Sequence, residues 1–522
     1  MNEKQSSIVL LISYVGIKFL IIRMSMKQNG VERVTRDEVK TLGDLHEFGW
    51  VSRSVKDEMR SNLIRLIKSN QQPFKGILGY EHTVMPQIQQ AILAKHDFIL
   101  LGLRGQGKTK LLRQLIYLLD DYMPIVEGSV IQDDPFRPLS RYAVDKINDM
   151  GMDTPIAWVS REARFSEKLA TPDTTVSDII GDIDPIKAAS QKLDLSHEES
   201  INFGLIPRSN RGIFIINELP DLQPRIQVAL LNIMQERDIQ IRGFKFRMPL
   251  DICMAFSANP EDYTNRGNII TPLKDRIDAQ IITHYPKSLA TAMEITSQES
   301  WADRDSGVHV SIPDVFRHII DQIAFEARES EYIDQKSGVS SRMSITAMEQ
   351  MVSAAERRAF TQGVMQTNVR ISDVYHVIPA LTGKLELVYE GEQEGAINVA
   401  KLIIGKAISK TFKRYFPDPS KRNDDEPSIY EPIGMHFELG NEITLGDTLD
   451  DDAYSKVLLS VRGLKQAVET TIQDALSQTD KLAWMDILLE TLHQHSMLGK
   501  VEFDQSLRYT DMLGSMFNPL DI

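Results

Sequence analysis

The sequence predicts an α/β fold, a parallel sheet built around a phosphate-binding loop, followed by an all-helical lid and an accessory helical C-terminal region. Three observations predict it. Gly102-Leu103-Arg104-Gly105-Gln106-Gly107-Lys108-Thr109 is a complete Gly-rich loop. The apolar run Phe98-Ile99-Leu100-Leu101 before it reads as a buried parallel strand, and Lys110 to Ile116 after it has helical apolar spacing. Further apolar runs at Gly212 to Ile216 and Ile252 to Phe256 supply neighbouring strands, and helical spacing dominates from Ser288 to about Lys384.

The loop comes first because its chemistry is explicit. Glycines at 102, 105 and 107 let the backbone curl so that successive N–H groups converge on a phosphate, reinforced by the N-terminus of the following helix. Lys108 is placed to meet the β- and γ-phosphates, and the Thr109 hydroxyl to hold Mg2+. Arg104 and Gln106 complete the nucleotide-binding loop. A nucleoside triphosphate, ATP, and Mg2+ are therefore the expected ligands. An ordinary Gly-rich turn with a chance Lys-Thr would not also need a strand before it and a helix after it.

The run Gly212-Ile213-Phe214-Ile215-Ile216-Asn217-Glu218 looks like a Walker B strand. Glu218, at a strand end, is suited to polarise an attacking water. The residue before it is Asn217, where an Asp is usual, so an amide carbonyl stands as the metal-directed group and brings no charge. After the next strand, Ala258-Asn259-Pro260 puts Asn259 where a polar side chain can lie between the γ-phosphate and Glu218. Alone, Asn-Pro is an ordinary turn signal.

Family resemblance enters with Asn217-Glu218-Leu219-Pro220, then Ala229-Leu230-Leu231-Asn232-Ile233-Met234-Gln235-Glu236-Arg237 and Ile239-Gln240-Ile241-Arg242-Gly243. Upstream lie Ile179-Ile180-Gly181-Asp182-Ile183-Asp184 and Phe203 to Gly212. Together these resemble AAA+ ATPases of the clade with an insertion in helix 2, specifically the MoxR family and the magnesium-chelatase I subunit. The resemblance covers about Phe74 to Phe360 and implies an AAA+ core, ATP hydrolysis and assembly into a ring, expected as a hexamer. It implies that Asn259 is sensor 1, that Arg276 in Leu273-Lys274-Asp275-Arg276-Ile277 is an arginine finger acting on the neighbouring subunit, and that Arg342 is the sensor 2 arginine. Ile77 and Gly79, in Ile77-Leu78-Gly79-Tyr80, resemble the segment beside the adenine; a helix-entry turn is the other reading. Either arginine could instead make a surface ion pair. A partner with a von Willebrand A-type domain is implied by both families, on fold analogy.

Composition fits such a machine. An apolar fraction of 42% and a charged fraction of 25% are ordinary for a soluble globular protein. The single cysteine, Cys253, lies in a predicted core strand and excludes an intrachain disulfide, so a cytoplasmic, reducing compartment is expected. A net charge of −14 argues against generic nucleic-acid binding, which needs a basic footprint. The apolar run Ile8 to Ile22 is short for a membrane span, which takes ~20 apolar residues, and lacks a signal-peptide pattern. No membrane association is expected, and residues 1–23 are read as preceding the native start at Met24 or Met26.

The chain divides into a lead-in over 1–73, the core over 74–286, the lid over 287–385, a connecting region over 386–455 and a helical tail over 456–522. Core strands are expected near Phe98, Ile156, Ile213, Ile252 and Gln280, with insertions at Val130 to Phe136 and Ala170 to Asn210. Ile239 to Pro249 alternates around Gly243 as a hairpin carrying Arg242, Lys245 and Arg247. Pro417 to Ala453, rich in Pro, Asp, Glu and Gly, reads as an acidic linker or long loop. The expected function is ATP-driven remodelling of a protein partner. Alternatives are the motor subunit of a true magnesium chelatase and a non-hydrolysing nucleotide switch, the latter motivated by Asn217; a sigma-54 activator lacks its Gly-Ala-Phe-Thr-Gly-Ala loop here.

Overall fold

The computed structural model describes residues 35–184, 186, 200–236, 238–239, 248–260, 268–421, 428–472, 476–503 and 506–512. The apolar run Ile8 to Ile22 and the hairpin tip with Arg242, Lys245 and Arg247 lie outside the described residues.

Five parallel strands build the central sheet: β1 Phe98–Leu101, β2 Phe165–Leu169, β3 Gly212–Asn217, β4 Ile252–Ala258 and β5 Ala279–Ile282. They lie side by side in the order β5-β1-β4-β3-β2. The two central runs are apolar up to Ile216 and Phe256 because the sheet is covered on both faces. Ile213, Ile215, Cys253 and Ala255 enter one core, while Phe214, Ile216, Met254 and Phe256 enter the other, as the period of two demands. Helix α1 (Val55–Lys68) and helix α2 (Lys108–Arg113) cover the first face through Met59, Leu63, Leu111 and Leu112. A buried bidentate pair fastens α1, with Arg164 Nη1 and Nη2 donating to the Glu58 carboxylate at 2.9 and 2.6 Å.

One strand is not where the sequence pointed. Ile156–Ser160 is a strand, but it pairs antiparallel with Tyr122–Val126 in a separate ribbon, and the fifth sheet strand is β2. Apolar content misdirects here: β2, Phe-Ser-Glu-Lys-Leu, is a half-solvated edge strand, whereas the ribbon strand carries the greasier Ile-Ala-Trp-Val. The ribbon is an added layer over the lead-in. Ile156 N–H donates to Lys40 O at 2.9 Å, Trp158 Nε1 donates to Val39 O at 3.1 Å, and the Trp50 and Trp158 rings meet edge-on at 5.6 Å. A second insertion holds the antiparallel pair Gly181–Ile183 and Ile201–Phe203.

Past β5 the chain is mainly helical. Helices α3 (Thr271–Arg276), α4 (Leu289–Glu299), α5 (Asp314–Glu329), α6 (Arg342–Gln362), α7 (Ala396–Phe412) and α8 (Gln478–Gln494) are the pieces that matter below. A single hydrophobic core runs through α5 to α8, from Val315 and Phe316 on α5 through Ile403 and Ile404 on α7 to Leu488 on α8 and Tyr509. The stretch Pro417 to Ala453 is not a plain linker. It contains the helix Glu431–Glu438, with Ile433 and Phe437 buried, and the strand Ile443–Gly446. Asp450 caps the helix Asp451–Ser460, its carboxylate accepting from Ala453 N–H at 2.7 Å. The strands Gly499–Phe503 and Ser506–Thr510 join Ile443–Gly446 in a small antiparallel sheet, so the C-terminal region is helical with a β-edge. Among the described residues, no helix is long and apolar enough to cross a membrane.

Candidate functional site

Parallel strands leave their C-terminal ends exposed as a natural crevice, and here β1, β3, β4 and β5 all end at one cleft. Its volume is about 340 Å3, within the range of small-molecule sites. The loop between β1 and α2 forms its floor. Gly107 caps α2 with φ +73°, and Gly105 has the same φ. At Gly105 a second constraint applies: a Cβ would stand 1.9 Å from Ser340 Oγ, so only glycine lets the helical region approach the loop this closely.

Lys108 is buried, and its ammonium donates to Asn259 Oδ1 at 2.7 Å and to Leu103 O at 3.0 Å. Asn259 Nδ2 in turn donates to Glu218 Oε2 at 2.8 Å. Glu218 sits in the left-handed region, φ +54°, a conformation that a glutamate adopts only when its surroundings hold it there. Lys108, Asn259 and Glu218 thus form one hydrogen-bonded line across the cleft. Thr109 lines the cleft beside them. Ile77, Gly79, Ile295 and Ile345 also line the cleft, and Arg342 reaches it from the first turn of α6.

Other candidates have side chains engaged by other partners. Arg276 is away from this chain's own cleft, donating to Gln235 Oε1 at 2.9 and 2.7 Å and to Pro272 O at 2.9 Å. Arg104 turns toward the helical region, its Nε donating to Ser337 O at 3.2 Å while its Nη2 pairs with Glu386. The Gln106 side chain points behind the loop and accepts from Thr283 Oγ1 at 2.6 Å. Asn217 is buried beneath the cleft: its Oδ1 accepts from the Ser257 hydroxyl at 2.9 Å, and its Nδ2 donates to Glu167 Oε1 at 2.6 Å.

Residues that motif reading passed over hold the loop in place. Tyr80 Oη donates within reach of Gln106 O (2.7 Å) and His284 O (2.9 Å). Burial pushes its phenol up to about 12, so it remains a donor at neutral pH. Tyr285 Oη donates to Arg104 O at 2.8 Å, and the Arg328 guanidinium stacks 4.1 Å from the centroid of the Tyr285 ring. Burial lowers Arg328 to about 10, which leaves it charged. Thr283, His284 and Tyr285 are consecutive, directly after β5, so each of them supports the loop or a residue that supports it. Lys110 and Gln298 both donate to Gly76 O, at 2.9 and 2.8 Å, closing the end near Ile77. A signal existed for the first group: three polar residues at the end of a predicted core strand.

The donor set suits a nucleotide with a divalent cation. The loop N–H groups and Lys108 would face a phosphate bound there, apolar lining residues suit a base, and the Thr109 hydroxyl and Glu218 carboxylate are oxygen donors of the kind Mg2+ takes. The Asn217 oxygen, already accepting from Ser257, does not add to that set as it stands.

Fold and cleft together are of the AAA+ kind, a parallel sheet in the order β5-β1-β4-β3-β2 with a Gly-rich loop at its C-terminal edge and a helical region beside that loop. Within that class the chain resembles magnesium-chelatase I subunits and MoxR proteins. It is 26% identical over 237 residues to the magnesium-chelatase 38 kDa subunit of Rhodobacter capsulatus, covering 45% of this chain and 62% of that protein. It is 25% identical over 244 residues to the chaperone MoxR1 of Mycobacterium tuberculosis, covering 43% and 62%. Among solved structures, a model of the complex between subunits BchI and BchD of magnesium chelatase matches at 20% identity, with 62% of this chain and 98% of that chain covered and a TM-score of 0.32. The chain spans 62 to 65% of the length of the curated relatives it matches. No family model matches it.

Proposed function

We propose that this chain binds ATP with Mg2+ in the cleft, hydrolyses it, and works in a ring, expected as a hexamer, that remodels a protein partner in the cytoplasm. The observation that carries the reading is the line Lys108–Asn259–Glu218, which sets a phosphate-binding cation and a candidate base at the two ends of one amide. Loop N–H groups and Lys108 hold the β- and γ-phosphates, and Ile77, Ile295 and Ile345 cover the base. Glu218 takes a proton from the attacking water, and Asn259 holds that carboxylate toward the γ-phosphate. Bound Mg2+ would supply charge neutralisation at the phosphates, held by Thr109. Arg342 approaches the γ-phosphate in cis. Arg276, away from its own cleft and bonded to the exposed Gln235, would exchange that contact for a neighbouring subunit's nucleotide as an arginine finger. The chaperone name of MoxR1 and the two-subunit chelatase complex support a protein partner, and a von Willebrand A-type domain is the leading kind.

A second reading has one observation in its favour. Asn217 gives a neutral amide where a motor is expected to have a carboxylate, which would suit a nucleotide switch that does not hydrolyse. Turnover separates the two: purified full chain that binds ATP and releases phosphate at a steady rate supports the motor, and tight binding without phosphate release supports the switch. Failure to bind ATP at all would sink both.

A further inference from the structure

The metal end of the cleft poses a charge problem. Asn217 ends β3 at the position from which a carboxylate would act on the cation, and both ends of its amide are engaged, by Ser257 and by Glu167. Among the described residues, Glu167 is the carboxylate bonded to Asn217. We propose that Glu167 on β2 carries the negative charge for the metal end of the cleft that Asn217 on β3 lacks, an inference that rests on the nucleotide reading above.

Register and helix geometry bring Glu167 to that end. In the parallel β2–β3 pair, Glu167 stands opposite Ile215, so its side chain leaves the sheet on the same face as Ile215 and Asn217. That face is covered by α2, whose Leu111 and Leu112 share a core with Ile215. On α2, Arg113 follows Thr109 by one turn, on the same side of the helix. Arg113 Nε donates to Glu167 Oε2 at 2.7 Å and its Nη2 donates to Oε1 at 3.1 Å. The carboxylate is thus anchored between the Asn217 amide and a residue one turn from the metal-directed hydroxyl.

The two contacts on Glu167 differ in kind. The one from Asn217 is short and comes from a buried amide, so it fixes Oε1. Arg113 is an exposed side chain, 62% accessible, and a pair to such a residue is weak and readily exchanged. Glu167 can keep its hold on Asn217 through Oε1, and its Oε2 would then supply negative charge toward a cation held by Thr109. An acid on β3 has in effect been exchanged for an amide on β3 with an acid on β2. A merely structural ion pair between α2 and the edge strand would use the same contacts, and metal affinity tells the two apart.

The test uses the full chain with ADP and Mn2+ as probes. Free Mn2+ is followed by electron paramagnetic resonance, and ADP affinity is measured separately with Mg2+ and in chelator. Glu167→Gln should weaken Mn2+ binding by about 10- to 100-fold, the range for losing an outer-shell partner of a metal. ADP affinity in chelator should not change. The exchange variant E167Q/N217D, with the acid moved back to β3, should recover most of the loss. Unchanged Mn2+ affinity in Glu167→Gln, or no recovery in the exchange variant, overturns the proposal. Should Glu167→Gln not fold, Arg113→Gln serves instead: it removes the competing cation and should tighten Mn2+ binding, and equal or weaker binding counts against the idea. Wild-type protein that fails to bind ADP under either condition would instead refute the nucleotide reading itself.

Discussion

Asn259 and Glu218 meet through a single hydrogen bond of 2.8 Å from amide to carboxylate, made across two neighbouring strands. Because the same Asn259 accepts from Lys108, the base and the phosphate-binding cation share one positioning group. Loss of either end therefore has a different signature.

Glu218→Gln keeps an acceptor for Asn259 but no base. Hydrolysis should fall by about 10²-fold or more while ATP binding persists, the scale of general-base catalysis. Lys108→Ala should weaken ATP binding itself. Equilibrium nucleotide titration beside phosphate release measures both, and normal turnover in Glu218→Gln would remove it from the mechanism.

Arg276, held by Gln235 on the outside of its own cleft, gives a complementation test. Arg276→Ala and Lys108→Ala proteins should each be inactive, and mixing them should restore ATPase activity at interfaces that join an intact loop to an intact finger. A labelled pull-down confirms subunit exchange. Exchange without recovered activity would show that Arg276 does not act in trans.

Asn217→Asp should lower stability at neutral pH. The substitution removes the donor to Glu167 and sets two carboxylates where a 2.6 Å hydrogen bond now runs, with a loss of about 1–3 kcal/mol for a buried group deprived of its partner. Protonating one of the pair restores a donor, so the deficit in melting temperature should shrink as pH is lowered. A deficit independent of pH would mean the damage lies elsewhere.

Tyr285→Phe deletes the hydroxyl that donates to Arg104 O and leaves the ring under Arg328. Stability should drop by about 1 kcal/mol, the net worth of one hydrogen bond. ATP affinity should weaken with it, because the carbonyl belongs to the phosphate loop. Unchanged affinity at reduced stability would separate loop support from ligand binding.

Burial pushes the Asp486 carboxyl up to about 7, although Ile371 N–H and the Tyr454 hydroxyl each donate to it at 2.8 Å. The folded protein then holds this proton more tightly than the unfolded chain, whose carboxyl has a pKa of about 3.9. Ionisation works against folding. The group's adverse effect grows as pH rises from about 4 to about 7 and is level above that. Asp486→Asn, which keeps an acceptor, should match wild type near pH 4 and exceed it in melting temperature at pH 7 and above. Equal melting temperatures across that range would contradict the raised value.

The phosphate loop was legible because its backbone geometry restricts residue type: φ +73° at Gly105 and Gly107 leaves its mark in the letters. Strands β1, β3 and β4 were legible because burial on both faces enforces near-continuous apolar runs. β2 was not, since an edge strand such as Phe165–Leu169 needs to be apolar on one side only. The grip of Tyr80 on Gln106, or of Tyr285 on Arg104, was invisible because it joins residues 26 and 181 positions apart. The acidic stretch around Asp450 misled for a different reason: the same residues that solvate a linker also cap helices. Asn217 stood out in the sequence as a departure, but the Glu167 beside it emerged only once the strand register was known.

The undivided core that joins α5 to α7 and α8 gives the molecule a mechanical property. A helical region that shared no packing with the rest of the chain could tilt over the phosphate loop by itself. Here Ser340 touches Gly105 at one end of a body whose interior extends without a break to Tyr509. Any tilt at that contact must carry the whole body with it, so it acts as the short arm of a lever. A rotation about that contact would move the far surface through a longer arc than the loop itself.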